Sequence, residues 1–135
     1  MTFSQSSTVH RALGLGRDLQ TSLRRCIAQL EPGLMITDGD SEQTVASGRI
    51  DITARDRAGT IVVIALKDGE ADGDAIGQSL AHMGDMMTDG APVRGILVAR
   101  DFTPSAVSAA RAVENLRLVQ FGFRFIFEPL ALSPL

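Results

Sequence analysis

The stretch "GRIDITARDRAGTIVVIALK", residues 48–67, limits the possible folds more than any other part of the chain. In "GRIDITARD" the residues alternate, with Ile50, Ile52 and Ala54 on one face and Arg49, Asp51 and Thr53 on the other, which is the period of a strand. "DRAG" supplies a turn. "TIVVIALK" then runs on as unbroken Ile- and Val-rich apolar sequence, the mark of a strand buried on both faces. Together they predict an antiparallel hairpin whose second strand needs cover above and below. Lys67 closes the apolar run, where an ammonium is costly without a partner. Val63, Ala65 and Lys67 share a face, and Asp51 on the adjoining strand can reach it if the register allows, so Asp51 and Lys67 are expected to pair. Spacing alone admits a structural ion pair as readily as a functional site.

Around this hairpin the pattern is mixed. Leu19, Leu23, Ile27 and Leu30 recur at helical spacing, with Arg24 and Arg25 on the other side, and "GLMIT" reads as a short strand. "TDGDSEQTVAS" reads as an exposed polar loop. Ile76, Leu80, Met83 and Met87 mark a second helix entered through acidic residues, and "VRGILVAR" a further strand. Thr103 and Pro104 suit the N-cap and first position of a third helix, after which "LRLVQF" and "FRFIF" read as strands. The order is α-β-β-β-α-β-α-β-β: an α/β chain with a mixed central sheet flanked by helices. The expected division is a flexible segment over 1–16, one domain over 17–130 and a tail over 131–135.

Composition narrows the function. With 135 residues, 44% of them hydrophobic, and a net charge of −3, the chain suits one domain with its own core. No apolar stretch reaches the roughly 18 residues that span a bilayer, and no secretory leader is visible, so a cytoplasmic protein with no membrane partner is expected. A single cysteine, Cys26, excludes an internal disulfide and a cysteine-rich zinc site, and it reads as a small core residue. "KDGEADGDAIGQS" imitates a calcium loop, but its twelfth position is Ser79 in place of a bidentate Glu, so it serves to enter the helix.

The ordered segments "GRIDITARDRAGTIVVIALKDGEADGDAIGQSLAHMG" and "VRGILVARDFTPSAVSAARAVENLRLVQFGFRFIF" resemble the PD-(D/E)xK nuclease superfamily, and within it the RecB-like catalytic domain of NucS-type endonucleases. The resemblance implies a restriction-endonuclease-like fold and metal-dependent endonuclease chemistry on DNA, with water attacking a phosphodiester. Family members carry a strand ending Gly-Arg-x-Asp, a strand ending Glu-x-Lys and a helix with Gln-x-x-x-Tyr. Here these are Gly48, Arg49 and Asp51, then Ala65, Leu66 and Lys67, then Gln78 and His82. By that likeness Mg2+ or Mn2+ is held by Asp51, by a Glu at position 65 and by the backbone carbonyl of Leu66. Lys67 then orients the attacking water, and Gln78 completes the catalytic set. The separate N-terminal DNA-binding domain of NucS-type proteins is not expected in a chain of this length.

Three departures weigh against activity. Ala65 stands where the motif has Glu, His82 where it has Tyr, and Gln20 falls near the position of a helix acid. Metal binding is then expected to be weak or absent and hydrolysis impaired. A single carboxylate-to-methyl exchange in an otherwise intact motif suggests deliberate silencing of the nuclease, and natural loss is the other route. Arg24, Arg25 and Arg49, with His82, are the candidate DNA-binding residues, since guanidinium groups grip phosphate bidentately. The alternative is a non-catalytic nucleic-acid-binding or dimeric assembly module. A homodimer is expected through "FGFRFIFEPL", whose phenylalanines read as sheet core or interface.

Overall fold

The computed structural model describes residues 15–134. The chain begins with α1 (Leu15–Arg25) and the single turn α2 (Ile27–Leu30), followed by β1 (Met35–Ile36), β2 (Gln43–Val45), β3 (Gly48–Ile50) and β4 (Ile52–Arg55). Then come β5 (Ile61–Ala71), α3 (Gly73–Met86), β6 (Val93–Phe102), α4 (Pro104–Arg111) and β7 (Leu116–Gln120). Five strands form one mixed sheet in the order β1-β4-β5-β6-β7, while β2 and β3 form a separate two-stranded ribbon. The β1/β4 and β4/β5 pairs are antiparallel and the β5/β6 and β6/β7 pairs parallel. Of the expected segment 1–16, only Leu15 and Gly16 fall among the described residues, and they open α1.

The expected hairpin is present. Ile52 pairs with Ile64 and Arg55 with Ile61. In the turn the Asp56 carboxylate accepts from the amides of Ala58 and Thr60 at 3.0 and 2.9 Å, and Gly59 takes a φ of +86°. β5 is covered on both sides as its composition requires. Val62 and Ile64 join Ile52, Ala54, Ile96 and Val98 beneath Leu23, Ile27 and Leu30 of α1 and α2. On the opposite face Val63 packs with Ile50, Met83 and Val93, and Ala65 lies against the cluster of Ile76, Leu97, Ala99 and Ala106. The parallel β5–α3–β6 crossover needs a close approach, and a Cβ on Gly95 would meet the Met83 sulfur at 2.6 Å. Both longer helices are capped as expected, Asp72 accepting from Ala75 N and Thr103 from Ala106 N, with Pro104 at the first helical position.

Four expectations are corrected. "GRIDITARD" is not one strand: the backbone bends at Asp51, so Ile50 packs on the α3 side while Ile52 and Ala54 pack on the α1 side. The polar loop contains β2, whose Gln43, Thr44 and Val45 pair with Ile50, Arg49 and Gly48. Together these turn the order into α-α-β-β-β-β-β-α-β-α-β. "FRFIF" forms no strand, because β7 ends at Gln120 and residues 121–134 carry no regular structure. Phe121 and Phe102 reach the core, whereas Phe123, Phe125 and Phe127 are exposed. Cys26 is exposed at the junction of α1 and α2, not buried. No helix among the described residues is long and apolar enough to cross a membrane.

Candidate functional site

The bend at Asp51 creates the site. β4 stops pairing with β5 beyond Ile52–Ile64, which leaves the next amides of β5 without their antiparallel partner. The Asp51 side chain supplies one: its Oδ2 accepts from the Leu66 amide at 2.7 Å. On the other side of the bend Arg24 reaches from α1 and donates to the Asp51 carbonyl at 2.8 Å. The same guanidinium forks onto Asp38, Nη1 to Oδ1 at 2.7 Å and Nη2 to Oδ2 at 2.8 Å, and Asp38 also accepts from the Thr53 amide at 3.0 Å. The Asp38 side chain is 1% exposed and that of Arg24 10%. Arg24 therefore acts inside the fold, fixing the bend that presents Asp51.

Beside the bend lies an open cleft of about 490 Å³ that gathers residues from four elements. β5 contributes Ala65, Leu66 and Lys67; α3 contributes Asp74, Ala75, Gln78, Ser79 and His82; Arg49 of β3 and Asp51 close one side, with Asp72 and Leu97 completing the lining. All eight residues singled out for catalysis, metal or DNA other than Arg25 thus fall into two neighbouring groups: seven line the cleft, and Arg24 braces it from behind. Arg25 is exposed beside a different groove, with Thr21, Arg24 and Asp40.

The charges are arranged differently from expectation. Lys67 makes no ion pair with Asp51; the ammonium is exposed, and the ladder to β6 shifts register between Lys67 and Glu70, where Gly69 has a φ of +153°. Water around the Lys67 head removes the cost that the apolar run implied. Asp51 instead meets a second carboxyl, that of Glu42. Burial above all, and then the Glu42 charge, push Asp51 above its ordinary range, against the opposing bond from Leu66. Glu42 is itself held from outside, accepting from Gln20 Nε2 at 3.2 Å and lying 3.6 Å from Arg49.

A second network ties the ribbon to α3. Gln78 Nε2 donates to the Ser47 carbonyl at 2.6 Å and lies 3.3 Å from His82 Nε2, while His82 Nδ1 is 2.7 Å from Ser47 Oγ. Ser47 Oγ donates to Asp85 at 2.5 Å, and the Ser47 amide donates to the same carboxylate at 2.8 Å. One polarity satisfies the whole chain: Gln78 donates to His82 Nε2, His82 Nδ1–H donates to Ser47 Oγ, and Ser47 donates to Asp85. Gly48 must follow closely, since a Cβ there would meet Gln78 Nε2 at 3.3 Å, and its φ is +131°. His82 is buried within this chain, and Ser47 is a link in it, not a nucleophile.

Sequence reading missed Asp38, Glu42, Ser47 and Asp85. Glu42, Ser47 and Asp85 act through contacts to the β2–β3 ribbon, which has no helical or strand period strong enough to reveal it, and Asp38 acts through Arg24 and the Thr53 amide, both distant in sequence. Among the described residues no group of three or more His, Cys, Asp or Glu side chains is placed to hold a metal ion.

A five-stranded mixed sheet thus turns an aspartate bend, a strand-end lysine and a helix glutamine onto one cleft of an α/β domain. The endonuclease NucS C-terminal domain family matches residues 17–125, and the chain belongs to that family. Among solved structures, a repair endonuclease from Pyrococcus abyssi superposes with a TM-score of 0.70 at 26% identity, covering 78% of this chain and 46% of that one. EndoMS in its dsDNA complex gives a TM-score of 0.70 at 26% identity, covering 78% and 44%. The apo form of EndoMS, at 24% identity and a TM-score of 0.62, speaks for the fold alone. The chain thus spans less than half the length of these relatives. No curated protein sequence matches it.

Proposed function

We propose that the chain is a DNA-binding domain on the PD-(D/E)xK nuclease scaffold in which phosphodiester hydrolysis is impaired. The observation that carries this reading is the meeting of Asp51, Ala65 and Lys67 at one cleft, with a methyl group at the position of the motif carboxylate. Mg2+ and Mn2+ take hard oxygen ligands, and Ala65 offers none. Glu42 meets Asp51, but its oxygens are already engaged by Gln20 and lie beside Arg49, so it does not supply a free ligand. The Asp51 carboxylate is itself engaged by the Leu66 amide. These residues do not fit a resident divalent cation. At the rim the exposed Arg49 and Lys67 can donate to phosphate oxygens, although the exposed carboxylates Asp72 and Asp74 share the lining. The EndoMS–dsDNA complex among its structural relatives supports DNA as the ligand class.

The replacements at positions 20 and 82 support natural divergence over a single deliberate exchange. Gln20 donates to Glu42, and His82 is threaded through the Gln78–Ser47–Asp85 chain, so both are built into their surroundings.

Fluorescence anisotropy with duplex, single-stranded and branched oligonucleotides tests the binding. Affinity should fall as salt rises, and Arg49→Ala should reduce the log–log salt slope by about 1. Absence of binding to all three at low salt would sink the reading. The impaired chemistry has its own test: Ala65→Glu should confer Mn2+ binding by calorimetry and plasmid nicking that the parent lacks. A folded Ala65→Glu protein with neither property would remove the nuclease ancestry of the cleft while leaving the DNA binding intact.

A further inference from the structure

The cleft holds a polar group that the fold does not use. Ser79 lines it from the middle of α3 and is only 3% exposed, yet its Oγ has no hydrogen-bond partner among the described residues. Of the two buried hydroxyls in this state, Thr53 and Ser79, Ser79 is the one that lines the cleft. Folding gives no reason for it, because a buried unpaired hydroxyl costs stability and alanine is the better residue inside a helix. A ligand atom entering the cleft would supply the missing bond.

The surroundings of Ser79 narrow the ligand. Ala65, Ala75 and Leu97 line the same cleft and pack in one apolar cluster, which makes a floor of methyl groups. Such a floor does not solvate a phosphate, and the exposed carboxylates Asp72 and Asp74 share the lining. It does suit a flat heteroaromatic ring, whose faces are apolar and whose edge carries donors and acceptors. Ser79 Oγ both donates and accepts, and a carboxylate accepts the N–H groups of a base such as guanine. The cations stand elsewhere. Arg49 and Lys67 are exposed at the rim, where a phosphate keeps its water while it is paired. The volume of about 490 Å³ falls in the range of small-molecule sites.

We propose that the cleft binds one unstacked nucleotide base-first, with the base on the floor of Ala65, Ala75 and Leu97, its edge at Ser79 Oγ, and its phosphate at Arg49 and Lys67 on the rim. The proposal builds on the DNA-binding reading of this cleft, from which it takes the two phosphate contacts. A metal centre would draw the phosphate to the floor. With a methyl group at Ala65, the floor takes the base instead.

Nitrogen-15 NMR titration with deoxyguanosine monophosphate, and in parallel with deoxyribose phosphate, tests it. The nucleotide should shift the amides of Ala75, Ser79 and Leu97 and bind about tenfold tighter, since only it buries a base. Ser79→Ala should weaken nucleotide binding about fivefold, the worth of one hydrogen bond, and leave deoxyribose phosphate unaffected. The same variant should raise the urea midpoint, an effect that a merely structural hydroxyl would not give. Lys67→Ala should weaken both ligands alike. Equal affinity for the two ligands overturns the proposal, as do shifts confined to Arg49 and Lys67, or a Ser79→Ala protein that binds the nucleotide as tightly as the parent. Oligonucleotide anisotropy keeps the two readings apart. DNA binding by the parent, together with equal affinity for nucleotide and sugar phosphate, overturns the base site alone. A nucleotide seated at Ser79 in a chain that binds no DNA supports the base site and sinks the wider reading.

Discussion

Replacing Arg24 by Met should destabilise the domain by about 3–5 kcal/mol, because it strands a buried carboxylate. The Asp38 side chain is 1% exposed and has three donors: both terminal nitrogens of Arg24 and the Thr53 amide, apart from its local bond to Asp40. Methionine removes the fork and leaves the buried carboxylate with the Thr53 amide and its local bond to Asp40. The Asp51 carbonyl loses its Arg24 donor in the same step. Arg49–Glu42 provides the contrast. It is an ion pair at 3.6 Å with side chains 71% and 35% exposed, so Arg49→Met should cost no more than about 1 kcal/mol. The chain has no Trp or Tyr, so urea unfolding is followed by far-ultraviolet circular dichroism. With a urea dependence of about 1–3 kcal/mol per molar, the Arg24→Met midpoint should fall by roughly 2 M. The pH dependence carries the sign. Burial pushes Asp38 up, and the Arg24 fork with the Thr53 amide more than offsets it, holding the carboxyl below its ordinary range. A depressed carboxylate contributes stability above its unfolded pKa and loses it as pH falls through the folded one. The penalty of Arg24→Met should therefore be full at neutral pH and shrink below about pH 4. A loss under about 1 kcal/mol at neutral pH, or an equal loss in Arg49→Met, would refute the assignment of Arg24 to the interior.

Three further outcomes are expected. Glu31 and Asp56 are both held below their ordinary ranges, Glu31 chiefly by the bond from Arg94 and Asp56 chiefly by the Thr60 amide with help from Arg94; Arg94→Met should thus lessen the loss of stability as pH drops below about 4, measured by urea titrations at several pH values. Gly48→Ala forces a side chain into a φ of +131° against Gln78 and should cost about 1–3 kcal/mol, with a cost near zero in thermal unfolding counting against the clamp. Nitrogen-15 NMR should find neutral His82 protonated at Nδ1, and Ser47→Ala should abolish that preference; an Nε2-protonated ring in the parent would break the proposed Gln78-to-Asp85 chain.

Whatever depends on neighbours in sequence was legible. The "GRIDITARDRAGTIVVIALK" hairpin declared itself through alternation, a turn and β-branched residues, and the helix starts at Asp72 and Thr103 through capping chemistry. The motif positions then fell to one cleft because strand and helix periods place Ala65, Lys67, Gln78 and His82 on facing surfaces. The bend at Asp51 was not legible, since alternation persists straight through it: Ile50, Ile52 and Ala54 are all apolar and all fully buried, only on opposite sides of the sheet. Nothing local distinguishes a strand from two strands whose joint is held by an arginine 27 positions earlier.

That joint also holds the shape of the cleft without the side chain at position 65. The bend is fixed by Arg24 and Asp38 from one side and by the Leu66 amide from the other, and none of these contacts involves residue 65. α3 is anchored independently, through Gln78, His82 and Asp85 to Ser47. The contacts that shape the cleft therefore lie apart from the side chain at position 65. Ala65 lies against the cluster of Ile76, Leu97, Ala99 and Ala106, and its backbone pairs opposite Leu97.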